Sequence, residues 1–102
     1  VDDMARASIH LMSIEKKTYD EQTSSMFNHI NVGSGKDLTI KELAEILKKV
    51  VGFKGEINFD LTKPDGNPRK ILDSKRINNL GFKPLISLKE GLIKTYQDFI
   101  KT

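Results

Sequence analysis

The sequence predicts a mainly helical α/β domain, with about four helices and a short two-stranded parallel sheet formed by one βαβ unit. Three features lead there. Two capping boxes, Thr39–Glu42 and Ser87–Glu90, each open an apolar run with helical spacing. Alternating stretches flank the first of these runs, at 29–32 and at 56–60. Gly52 and Gly81 each follow an apolar helical run and read as stops.

The elements follow in chain order. Residues 2–17 have helical composition, with Asp2 or Asp3 placed to cap the first turn and favour its positive dipole end. Met4, Ala5, Ser8, Leu11 and Met12 fall on its predicted inner face, which Ile9 widens. Residues 18–27 lose the period and read as a polar loop. Ile30 and Val32 alternate with His29 and Asn31, a strand that ends in a glycine turn. Thr39 opens a helix carrying Ile40, Leu43, Ala44, Ile46, Leu47, Val50 and Val51. Ile57 and Phe59 alternate with Glu56, Asn58 and Asp60, the second strand, parallel to the first if the βαβ unit forms. Asp73 is placed to cap a short helix with Ile77 and Leu80 inward. Ser87 opens the last helix, with Leu88, Leu92, Tyr96 and Phe99 inward.

A chain of 102 residues suits one domain with a modest core, and 30% charged residues of both signs suit a folded, soluble one. The net charge of +3 is spread among acidic residues, and tryptophan is absent. That is unlike the basic, aromatic-studded stripe of a nucleic-acid binder. No apolar run reaches the roughly 20 residues that span a bilayer, so no membrane partner is expected. Without cysteine there is no disulfide and no thiolate metal site. A cytoplasmic location is the default. Val1 is no initiator methionine, and Asp2-Asp3 begin a helix without an approach loop, so the chain is expected to continue upstream.

Catalytic patterns are missing. Gly33-Ser-Gly35-Lys36 lacks the Walker spacing and the third glycine of a dinucleotide fingerprint, which leaves a turn. His10 and His29 have no partner at metal-ligand spacing. Tyr19 and Tyr96 have Thr23 and Ile100 four residues on, so neither makes the Tyr-x-x-x-Lys pair of a short-chain reductase. No catalytic residue, cofactor site or metal site is expected within this chain.

The segment 60–73, D-L-T-K-P-D-G-N-P-R-K-I-L-D, is the exception. It follows the second predicted strand, at the end where α/β folds place ligands. Pro64 and Pro68 stiffen it, and Gly66 admits conformations that other residues avoid. Arg69 and Lys70 offer donors to a phosphate, and Asp65 offers an acceptor to sugar hydroxyls. The rival reading is a Pro-Asp-Gly turn whose charges are simply solvated. Asp73, placed at the next helix's cap, would keep that helix end from an anion.

The stretch 63–73, K-P-D-G-N-P-R-K-I-L-D, resembles the C-terminal part of the GDP-L-fucose synthases, which are extended short-chain dehydrogenase/reductases. Four further stretches run in that family's order. They are V-D-D-M-A-x-A-S-I-H (1–10), H-I-N-V-G-S-G-x-D-x-T-I-x-E-L-A (29–44), L-D-S-x-R (72–76) and I-S-L-x-x-G-L-x-x-T-Y (86–96). The first two are shared by many nucleotide-sugar epimerases and dehydratases and discriminate less.

The resemblance implies that residues 1–102 are a C-terminal substrate-binding domain without the N-terminal Rossmann domain. That absent part would hold NADPH and the reductase and epimerase residues, and would form the usual homodimer. The full-length protein would convert GDP-4-keto-6-deoxymannose to GDP-L-fucose, and this chain alone would be inactive. By the same resemblance Lys70 lies near the nucleotide diphosphate and Asp65 near a hydroxyl of the nucleotide sugar. Arg69 either joins them or holds the turn through a carboxylate. Three rivals stand beside this: the substrate lobe of another sugar-nucleotide epimerase or dehydratase, a free-standing anion- or nucleic-acid-binding module, and a scaffold.

Overall fold

A computed structural model describes all residues, Val1–Thr102. It contains five helices: α1 (Asp2–Ser13), α2 (Lys16–Gln22), α3 (Ile40–Val51), α4 (Lys75–Asn79) and α5 (Leu88–Lys101). There is no strand and no sheet, which overturns the expected two-stranded parallel sheet and with it the α/β class. The chain divides into two compact units, Val1–Lys36 with Ile71–Leu85, and Asp37–Lys70 with Ile86–Thr102. The physical reason for the missing sheet lies in that division. The alternating stretch 29–32 belongs to the first unit and 56–60 to the second, and they exchange no backbone hydrogen bonds. Alternation marks an extended segment but does not supply its partner.

In the first unit Ala7, Ile77 and Phe82 form the buried core, with Leu11, Ile30 and Val32 packed on it. The inner face of α1 is rotated from the expected one. Ala7 is fully buried and Leu11 half-buried, whereas Met4, Ile9 and Met12 are exposed. The small Ala7 lets the helix approach its neighbours more closely than methionine would. Neither Asp2 nor Asp3 is the N-cap, which is Val1. The Asp3 carboxylate instead accepts from the Leu85 N–H at 3.1 Å and pairs with Arg6 at 2.6 Å, joining the helix start to residue 85. Arg6 lies over the Phe82 ring, 5.1 Å from its centroid. His10 Nε2 donates to the Leu80 carbonyl at 2.6 Å, so this histidine is hydrogen-bonded within the fold.

The helix expected over 2–17 stops at Ser13, and Ile14 and Glu15 are extended. The expected polar loop then begins as α2, which buries no residue. A Lys16–Asp20 pair at 2.6 Å supports it, and the Tyr19 hydroxyl donates to the Asn28 carbonyl beyond it. The Arg76 guanidinium reaches the carbonyls of Phe27 and His29 at 3.2 and 3.0 Å. The extended segment is therefore held by a side chain where a sheet ladder was expected.

In the second unit α3 and α5 pack on each other. The half-buried apolar side chains are Leu43, Ala44, Ile46 and Val50 on α3, and Leu92, Ile93 and Tyr96 on α5. Ile40, Leu47, Val51, Leu88 and Phe99, expected inward, are exposed. Both capping boxes are formed. Glu42 N–H donates to Thr39 Oγ1 at 3.1 Å, and Glu90 N–H to Ser87 Oγ at 3.3 Å. Each glutamate carboxylate accepts the cap residue's backbone N–H, at 2.6 and 2.9 Å. Gly52 and Gly81 adopt φ of 72° and 88°, the left-handed region that glycine enters without a Cβ clash. After each the next N–H reaches back five residues, Phe53 to Lys48 and Phe82 to Ile77.

Two outcomes follow from this packing. Ile77 is 1% exposed, so Ile77→Ala should lower stability by about 2–5 kcal/mol in urea unfolding, with Ile77→Val closer to about 1 kcal/mol. Backbone hydrogen bonds from Thr39 and Ser87 hold the Glu42 and Glu90 carboxyls below their ordinary value of 4.5. Their contribution is therefore complete above that value and is lost as pH falls through the lowered one. Helicity followed by circular dichroism from pH 6 to 2 should drop less steeply in Glu42→Gln/Glu90→Gln than in the parent.

Candidate functional site

The charged turn opens on a local hydrogen-bond cluster. Asp60 Oδ1 accepts from the Thr62 N–H at 3.0 Å and the Thr62 hydroxyl at 2.6 Å. The Lys63 N–H reaches the Asp60 carbonyl at 3.4 Å. Hydrogen bonds from Thr62 hold the Asp60 carboxyl below its ordinary 3.8. This aspartate-led turn replaces the strand end that the alternation of 56–60 suggested.

Every residue from Leu61 to Lys70 is exposed. Asp65 and Lys70 make no side-chain hydrogen bond or ion pair with the protein. Gly66 does not adopt positive φ, and an added Cβ would meet nothing within 4 Å. The conformational need inferred for this glycine is therefore absent.

Arg69 differs from the other two. Its Nε donates to Asp37 Oδ2 in an ion pair between residues 32 apart in sequence. The hydrogen bond and charge of Arg69 lower the Asp37 pKa below the ordinary 3.8, and Asp37 raises that of Arg69 in return. Of the two roles open to Arg69, the carboxylate contact is formed. Asp37 was not among the residues singled out from sequence. The signal available was its place in the G-S-G-x-D-x-T-I stretch, where an aspartate just before a capped helix reads as ordinary turn chemistry.

Asp73 also departs from expectation. The N-cap of α4 is Ser74, although Asp73 Oδ1 does accept from the Lys75 N–H at 3.0 Å. Ser74 is 5% exposed, and its hydroxyl donates to the Gly33 carbonyl at 2.9 Å. A recess of about 170 Å³ in the first unit is lined by His29, Asn31, Asp73, Lys75 and Arg76, and by none of Asp65, Arg69 or Lys70. No cluster of three or more histidine, aspartate or glutamate residues is placed to hold a metal ion. No helix is long and apolar enough to cross a membrane.

No protein-family model matches the chain. Curated relatives do. The GDP-L-fucose synthase of Escherichia coli K12 is 54% identical over 101 residues, which is 99% of this chain and 32% of that protein. The putative GDP-L-fucose synthase 2 of Arabidopsis thaliana is 52% identical over the same length and 28% of its own. Over nearly its whole length the chain is similar to the C-terminal part of GDP-L-fucose synthases. It spans about a third of the length of these relatives and corresponds to their C-terminal part. A GDP-L-colitose synthase of Yersinia pseudotuberculosis is 36% identical over 77 residues, 76% of this chain and 25% of that protein.

The geometry at Gly66 makes one outcome specific. Gly66→Ala should leave the thermal midpoint and ligand affinity close to those of the parent, because neither φ nor space resists a methyl group. A marked loss of either would return a conformational role to this glycine.

Proposed function

We propose that residues 1–102 are the nucleotide-sugar-binding part of a GDP-L-fucose synthase, and that the charged turn is where it grips its substrate. The 54% identity over nearly the whole chain to a protein of that name carries the reading. The exposed turn supports it, with Lys70 and Asp65 unengaged by the protein. Lys70 meets the diphosphate as a point charge, and Asp65 accepts from a hydroxyl of the nucleotide sugar. The full-length protein then converts GDP-4-keto-6-deoxymannose to GDP-L-fucose, works as a homodimer and resides in the cytoplasm.

NADPH, which such a conversion consumes, does not fit the residues present. The Gly33-Ser-Gly35 turn lacks a third glycine. The helix that follows has its first-turn donor Glu42 N–H already bonded to Thr39. The cofactor and the catalytic residues belong to the longer protein, and this chain by itself contributes binding.

A second reading, a GDP-L-colitose synthase, is favoured by the 36% identity to the Yersinia protein. Product analysis on the full-length protein separates the two. The decisive experiment follows NADPH absorbance as GDP-4-keto-6-deoxymannose is added to the full-length protein, with residues 1–102 alone as control. Consumption by the long chain alone is expected, and an inactive long chain would sink the reading. Lys70→Ala in the full-length protein should lower kcat/KM by about tenfold or more, the loss of one charge-assisted contact. An unchanged kcat/KM would remove Lys70 from the site.

A further inference from the structure

The turn's two ends are fixed differently. Its start is set locally by Asp60 and Thr62. Its far end is set at a distance by the Asp37–Arg69 ion pair, and no other side chain from 61 to 70 bonds to a residue remote in sequence. Asp37 is well placed to act as an anchor. It stands two residues before Thr39, whose capping box fixes the start of α3, so its backbone is tied to a formed helix. Arg69 is the residue immediately before Lys70. Pro64 and Pro68 restrict the backbone between, leaving fewer conformations for the ion pair to exclude.

We propose that Asp37 is a positioning residue for nucleotide-sugar binding: its carboxylate holds Arg69 so that Lys70 is presented to the diphosphate. The proposal rests on the reading of 63–70 as the substrate-gripping turn. It assigns Arg69 to the protein and Lys70 to the ligand. An anchored turn loses less conformational entropy when the ligand docks, so the effect appears in affinity rather than in the chemical step. The neutralised Arg69 also leaves Lys70 as the neighbouring cation with no protein partner.

The test uses the full-length protein, with steady-state kinetics for the GDP-sugar and calorimetric titration with GDP. Asp37→Asn should raise KM and weaken GDP binding about two- to fivefold, with kcat within about twofold. Asp37→Glu, which keeps the charge, should recover most of the loss. Arg69→Gln should match Asp37→Asn, and the double variant should be no worse than either alone, because both remove one contact. Additive losses would overturn the proposal, as would full GDP affinity in Asp37→Asn alongside weakened binding in Lys70→Ala. If Lys70→Ala binds GDP as the parent does, the proposal and the substrate-turn reading fall together. Should Asp37→Asn fold poorly, Asp37→Glu and the exchanged pair Asp37→Arg/Arg69→Asp carry the same comparison. Failure of the exchanged pair to bind better than Asp37→Arg alone would also count against it.

Discussion

Scarcity of fully buried apolar surface governs this structure. Ala7, Ile77, Leu80 and Phe82 are the buried hydrophobic residues, and all four lie in the first unit. The second unit has none, although α3 and α5 pack together. With so little core, the chain depends on hydrogen bonds that satisfy helix ends locally. Two capping boxes begin α3 and α5, and two left-handed glycines close α3 and α4. Segments without helix are held by side chains reaching to backbone carbonyls, Arg76 to Phe27 and His29, Ser74 to Gly33, and Tyr19 to Asn28.

That dependence explains which parts of the fold were legible in the sequence. Capping boxes and glycine stops are local, and their geometry is decided within about one helical turn, so Thr39–Glu42, Ser87–Glu90, Gly52 and Gly81 behave as their residues indicate. The sheet was not legible because pairing is non-local. Ile30 and Val32 alternate as a strand does, yet they pack on the core of Ala7, Ile77 and Phe82, while 56–60 belongs to the other unit. The inner face of α1 was misread for a related reason. Hydrophobic spacing favoured Met4 and Met12, but shape selected Ala7, and shape depends on what the helix packs against.

The exposed apolar residues of the second unit fit the chain's share of its relatives. Ile40, Phe53, Phe59, Leu61, Leu88, Phe99 and Ile100 all stay open to solvent. Hydrophobic spacing along α3 and α5 is stronger than the burial these helices achieve here. A sequence records the contacts under which it was selected, and this chain spans about a third of the length of the GDP-L-fucose synthases it matches. Part of its apolar pattern therefore finds no partner within these 102 residues.

The candidate site shows the same split between local and distant information. Asp65, Arg69 and Lys70 stand out because charges beside two prolines and a glycine are unusual. What sequence cannot supply is the assignment of each charge. Arg69 and Lys70 look equivalent as neighbouring cations until Asp37 takes the guanidinium. Arginine suits that task, since its planar fork forms a directional bond with a carboxylate, whereas the lysine ammonium acts as a point charge. The order Arg69-Lys70 thus separates a cation paired within the protein from one that has no protein partner. Exchanging the two residue types would move the directional donor to position 70 and leave the turn with the weaker clasp.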